Sequence, residues 1–159
     1  MTSFATHLEC ARCAEFYEIN TVQQTCVRDG GPLLVRYDLR RVHDAVEREE
    51  LRMRPATLWR LRELLPVERD ASIVTLGEPM TPLLVAPRLG EALGIEALDV
   101  KDEGLLPTGS FKARGAAVGV TRAKELGVTT LALPTAGNAG AAWAAYGARA
   151  GMRVVVVMP

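Results

Sequence analysis

The sequence predicts an α/β fold: a parallel sheet with helices packed on it, preceded by a small cysteine-bearing ribbon. Three observations predict it. From residue 96 onward, strand-like and helix-like stretches alternate, the pattern of a parallel sheet crossed by helices. The apolar runs at 129–133 and 152–158 flank a small-residue helix at 138–150 that ends at Gly151. Ahead of this alternation, Cys10, Cys13 and Cys26 lie close together beside Gly30-Gly31-Pro32.

Residues 1–38 read as a small cysteine-bearing knuckle with short strands, among them Leu33-Leu34-Val35-Arg36-Tyr37. Residues 39–70 read as a helical connecting arm. Leu39, Val42, Val46 and Met53 recur at helical spacing over 39–53, and Leu58, Leu61, Leu64 and Leu65 mark a second short helix between Thr57 and Pro66. Residues 71–159 read as the first part of the α/β domain, truncated. There, 81–85 is extended, and 87–93 is a short helix begun by Pro87 and capped by Gly94. A strand is expected at 97–101, then a helix from about Ser110 to Leu126. The chain ends on the apolar strand Val154-Val155-Val156-Val157-Met158 and a proline, which reads as a mid-domain ending and predicts a fragment.

The bulk numbers exclude more than they assign. With 159 residues, 48% of them hydrophobic, the chain can bury a core. Nineteen basic residues balance nineteen acidic ones, which argues against nucleic acid or an anionic membrane as partner. No signal peptide or bilayer-length apolar run is visible, so a cytoplasmic location is expected. An odd cysteine count with a Cys-x-x-Cys pair suits a reducing compartment and a metal site better than disulfides.

The most informative stretch is Lys101-Asp102-Glu103-Gly104-Leu105-Leu106-Pro107-Thr108-Gly109-Ser110-Phe111-Lys112, which joins a strand to a helix. Lys112 and Arg114 then fall in the helix's first turn, where cations oppose the positive end of the macrodipole. An aldehyde cofactor gives such a lysine a reason. An amine beside another cation and partly desolvated condenses more readily to a Schiff base and later serves as a base. The bland alternative is a solvated lysine that happens to begin a helix. One strand later, Pro134-Thr135-Ala136-Gly137-Asn138-Ala139-Gly140 forms a small-residue turn at a helix N-terminus, a setting that favours an anion such as a carboxylate. Its bland alternative is an ordinary N-cap, for which Asn is a favoured residue.

The run 101–116 closely resembles the lysine motif of threonine synthases. Thr-Gly-Ser-Phe-Lys followed by x-Arg-Gly is characteristic of fold-type II pyridoxal-phosphate (PLP) enzymes. The resemblance implies a tryptophan synthase β-like parallel sheet with helices on both faces. It also implies that Lys112 carries PLP, that Phe111 and Asn138 contact the cofactor, Asn138 at its 3′-oxygen, and that Thr135, Ala136, Gly137, Asn138 and Ala139 grip the α-carboxylate of an amino-acid substrate. The reaction implied for the full-length enzyme converts O-phospho-L-homoserine and water to L-threonine and phosphate. A homodimer is admitted for the full-length chain, and the glycine-rich loop for the PLP phosphate would lie downstream, leaving this piece inactive alone.

Leu106 stands where threonine synthases usually have Asn, and Ala113 where they usually have Asp. The run from Lys112 to Ala116 is closer to threonine or serine dehydratases. A dehydratase or a cysteate synthase-like lyase therefore stays open. So does a reading from another class, a non-catalytic ribbon protein or truncated relic that binds a partner. The cysteines resemble three corners of a zinc ribbon of the kind many threonine synthases carry. The fourth corner would fall on Asp29, whose carboxylate zinc accepts, with His7 as the other candidate. A zinc-filled ribbon and a degenerate, metal-free one are equal alternatives from the sequence.

Overall fold

A computed structural model describes residues 3–158. Near the start, β1 (Ala5–Cys10) sits between β2 (Phe16–Glu18) and β3 (Leu33–Tyr37), both antiparallel to it. The strands splay into two turns, at 11–15 and 26–32, that bring the cysteines to one end.

The arm differs from its sequence expectation. Instead of one helix over 39–53, two short helices form, α1 (Leu39–Ala45) and α2 (Arg48–Met53), broken by extended backbone at Val46 and Glu47. Neither buries a residue, and Leu39 and Met53 stay exposed. Without a face to bury, helices this short gain little from propensity alone, so the chain is free to turn. The second expected helix is a 3₁₀ segment, Leu58–Leu64, kinked at Leu61. Its buried residues are Arg62 and Glu63 rather than leucines. Arg54 pairs with Glu63 at 2.8 Å, and Arg62 pairs with Asp70 at 2.7 Å and donates to the carbonyl of Val67 at 2.6 Å. Ionic contacts thus organise the arm, a basis that hydrophobic periodicity does not report.

A single turn of 3₁₀ helix (Asp70–Ser72) leads into the α/β region. There, β4 (Leu83–Val85) is followed by α3 (Pro87–Leu93), which ends on left-handed Gly94 as expected. The strand expected at 97–101 is β5 (Asp99–Lys101). It pairs antiparallel with β4 in a two-stranded ribbon, so it does not join the parallel sheet. The reason is local: α3 is only seven residues long, and the chain reverses beside β4 before any crossover can be completed.

Downstream the expected alternation holds. Helix α4 (Lys112–Glu125) is followed by β6 (Thr130–Pro134), α5 (Asn138–Ala150) and β7 (Arg153–Val157), with β6 and β7 parallel. Helix α4 starts two residues later than expected. The core lies between α4 and α5: Ala113, Ala116, Ala117 and Val120 meet Ala142 and Tyr146, with Val74 and Leu106 closing the ends. Small residues allow this closeness. A Cβ at Gly119 would lie 2.6 Å from the Trp143 ring, and one at Gly147 would lie 2.2 Å from Val154 Cγ2. No helix among the described residues is long and apolar enough to cross a membrane.

Candidate active site and cysteine cluster

The lysine loop is built by short-range contacts. Asp102 Oδ1 accepts the amide of Gly104 at 3.0 Å and starts a 3₁₀ turn, Glu103–Leu105. Leu106 then drops into the core, and the left-handed Gly109 donates back to the carbonyl of Leu106 at 2.8 Å. The loop ends at Phe111, the N-cap position of α4, with no side-chain cap.

Lys112 is the first residue of α4 and is exposed. Its Nζ sits 4.3 Å from the centroid of the Phe111 ring. The sequence expectation is an amine beside another cation and partly desolvated; here the amine is exposed. Arg114 is committed to Glu103, with Nε to Oε2 at 2.7 Å and Nη2 to Oε1 at 2.9 Å. That guanidinium, helped by the Thr81 hydroxyl, holds the Glu103 carboxyl down at about 2. Among the described residues, Thr108 Oγ1 and Ser110 Oγ are buried without a hydrogen-bond partner, although buried polar atoms are normally paired.

The second turn lies between β6 and α5. Thr135 donates its amide to the carbonyl of Val157 at 2.9 Å, its Oγ1 accepts from the amide of Gly137 at 3.2 Å, and the amide of Gly140 donates to the carbonyl of Gly137. Asn138 is the first helical residue and is exposed; the N-cap is Gly137, and no side chain caps the helix. The ordinary-N-cap explanation for Asn138 therefore fails, and its amide is left available. Among the described residues, no hydrogen bond or ring contact joins Lys112 or Phe111 to Thr135, Ala136, Gly137, Asn138 or Ala139. The two turns belong to helices that pack on one another through their buried alanines.

Cys10, Cys13, Cys26 and Asp29 converge, their ligand atoms all within 4.8 Å of one another. The thiols are free, with Cys13 Sγ 3.6 Å from Cys26 Sγ and Cys10 Sγ 3.4 Å from Asp29 Oδ1. The amide of Gly31 donates to Asp29 at 2.8 Å and, with the thiol of Cys26, holds that carboxyl down at about 2. A backbone hydrogen bond at Glu15 works to lower the Cys13 thiol. Desolvation and the neighbouring Cys10, Cys26 and Asp29 outweigh it and push the thiol up to about 12. Cys26 is lowered despite desolvation, because the Tyr17 hydroxyl donates to it at 3.1 Å. His7 is not part of the group; it stacks on Phe16 with centroids 3.6 Å apart. Three sulfurs and a carboxylate oxygen form a donor set that tetrahedral zinc accepts.

Sequence reasoning missed three side chains that hold these parts together. Glu78 is fully buried and accepts from Trp59 Nε1 at 3.1 Å, Thr75 Oγ1 at 2.7 Å, the amide of Leu76 at 2.8 Å and the Tyr146 hydroxyl. Arg122 of α4 reaches back to the carbonyl of Ile19 at 2.7 Å and to Asn20 in the ribbon. Beside that strut, a cavity of about 540 Å³ opens between the ribbon and α4, lined by Leu8, Ile19, Val35, Gly119 and Trp143; it contains neither Lys112 nor Asn138. The third is the Glu103 partner of Arg114.

Residues 74–159 match the family model described as pyridoxal-phosphate dependent enzyme. The chain belongs to that family. The family's cofactor suits the lysine turn, with its exposed amine, its neighbouring aromatic ring and its two orphaned hydroxyls. Among characterised proteins, the chain is 45% identical over 150 residues to a threonine synthase of Methanocaldococcus jannaschii, covering 94% of this chain and 37% of that protein. It is 46% identical over 153 residues to a threonine synthase of Methanosarcina acetivorans, covering 96% and 37%. A threonine synthase of Halalkalibacterium halodurans is 48% identical over 102 residues, covering 64% and 28%. The chain thus spans little more than a third of the length of the two archaeal relatives.

Proposed function

We propose that this chain is the amino-terminal part of a cytoplasmic threonine synthase, which converts O-phospho-L-homoserine and water to L-threonine and phosphate. The observation that carries the reading is Lys112, an exposed amine opening α4 behind a turn with unpartnered hydroxyls, in a chain similar to threonine synthases over nearly its whole length.

Bound pyridoxal phosphate would supply an electron sink for carbanions at the α and β carbons of the substrate. Lys112 would hold the cofactor covalently and, once displaced, move protons on and off those carbons. Phe111 would pack an apolar ring against the cofactor, and the amide of Asn138 would bond its 3′-oxygen. Thr135, Ala136, Gly137, Asn138 and Ala139 would bind the substrate carboxylate at the N-terminus of α5, where backbone amides and the helix dipole favour an anion. Fixing the carboxylate there orients the scissile bonds relative to Lys112.

The two departures from the usual threonine synthase pattern carry less weight against this reading than the sequence suggested. Leu106 and Ala113 are both buried in the core cluster between α4 and α5. They answer to packing, since an Asp at the position of Ala113 would bury a carboxyl among alanines. The deciding assay uses a full-length protein carrying this sequence. Phosphate release from O-phospho-L-homoserine supports the proposal, and 2-oxobutanoate from threonine without phosphate release assigns a dehydratase instead. The 159-residue chain alone is expected to show no turnover.

For the ribbon, we propose a structural zinc held by Cys10, Cys13, Cys26 and Asp29. One zinc per chain by elemental analysis, lost in Cys13→Ser, is the expected result; protein purified without metal additives and containing none would refute it.

A further inference from the structure

We infer that Glu103 and Arg114 form a clamp that sets the position of Lys112, so that Arg114 is a positioning residue for the reaction; the inference rests on Lys112 being the cofactor-bearing lysine. The first turn of α4 has no side-chain cap, and the only contact recorded for the Lys112 amine among the described residues is the Phe111 ring. The place of that amine is therefore set by the backbone turn beneath it, and Arg114 anchors the turn.

The guanidinium meets Glu103 as a two-bond fork, a geometry that fixes orientation as well as distance. The two residues are 11 positions apart and bracket the lysine loop. Arg114 Nη2 also reaches the carbonyl of Pro79 at 3.3 Å and Thr81 Oγ1 at 3.4 Å. The Thr81 hydroxyl donates to Glu103, and Lys101 Nζ donates to the carbonyl of Thr81 at 2.6 Å. Three segments meet in this knot: the stretch before β4, the end of β5 and the first turn of α4. The Arg114 and Glu103 side chains are only 24% and 23% exposed, so the pair is not a freely solvated surface contact. It also explains a cation where the helix dipole disfavours one, because the Glu103 carboxylate offsets the repulsion. Glu103 and Arg114 belong to the lysine motif, yet neither holds substrate or cofactor in the reaction proposed above.

The test uses the full-length protein loaded with pyridoxal phosphate, comparing wild type with Glu103→Gln, Arg114→Lys and Arg114→Gln. Turnover should fall about tenfold in Glu103→Gln, with KM changed less than about twofold, because misplacing a reacting group acts on the chemical step. Arg114→Gln should lose more than Arg114→Lys. The cofactor's absorbance band should weaken, and borohydride trapping on Lys112 should slow, at temperatures where every variant is still fully folded. Should Glu103→Gln fail to fold, Thr81→Val removes one hydrogen bond to Glu103 and should show the same split at about threefold. Wild-type protein that traps no cofactor on Lys112 overturns the functional reading and the clamp together. Wild type that traps it, with variants matching wild type in turnover and spectrum, overturns the clamp alone.

Discussion

The starts of α4 and α5 meet the same requirement by different means. Each opens a helix without a side-chain cap and presents an exposed residue, Lys112 in one and Asn138 in the other. The first turn of α4 is tied by charge, through Arg114 and Glu103. The start of α5 is tied by close packing and backbone bonds. Thr135 continues the pairing with β7, and a Cβ at Gly140 would sit 3.0 Å from Thr135 Cγ2 and 3.1 Å from Val156 Cγ1. In the proposed reaction, an amine that would be displaced and return stands on a directional ionic support. A turn that would only have to receive a carboxylate can be wedged in place by the absence of side chains.

The largest effect separating the two should come from Lys112→Arg in the full-length enzyme. Turnover should drop on the order of a thousandfold or more, since the guanidinium neither condenses with an aldehyde nor shuttles protons; a steady-state phosphate-release assay checks it. Next is Glu78→Ala, which strands the buried Tyr146 hydroxyl and the part-buried donors of Trp59, Thr75 and Leu76 and should cost about 3 kcal/mol in denaturant unfolding. Gly147→Ala tests the packed side directly. Its new methyl meets Val154, so a loss of about 1–3 kcal/mol is expected, with little dependence on salt or pH. Equal stability of Gly147→Ala and wild type would show that α5 is not wedged.

The smallest effect belongs to the charged side and is read against pH. The Glu103 carboxyl lies at about 2, below its ordinary 4.5. Its contribution is present above the unfolded value and is lost as pH falls from about 4.5 toward about 2. Glu103→Gln should flatten the acid limb of the thermal midpoint in that window, and an unaltered limb would leave Glu103 without the role assigned to it.

Parts of this were legible in the sequence for definite reasons. Helix α5 has the bounds its composition predicts, because a small-residue turn precedes it and left-handed Gly151 ends it. The meeting of Cys10, Cys13, Cys26 and Asp29 was legible through the resemblance to a zinc ribbon, which left His7 as the other candidate for the fourth corner. The helices of the arm were legible, but not their break at Val46 and Glu47 or their packing, since Leu39, Met53, Leu61 and Leu64 stay exposed while Arg62 and Glu63 go inside. The partnership of β5 with β4 was not legible either, since a three-residue strand carries no mark of its neighbour's direction. Glu103 with Arg114, Glu78 with Tyr146 and Arg122 with Ile19 join residues distant in the chain, and periodicity is silent about such pairs.

Gly140 and Gly147 are notches on one helix, and Val156 and Val154 are the teeth that enter them. Side chains alternate along a strand, so sliding β7 by a single residue would withdraw both teeth and turn Arg153 and Val155 toward the helix. The ladder between β6 and β7 is thereby keyed to one setting. A β7 paired one residue out of register would find no such seat on α5.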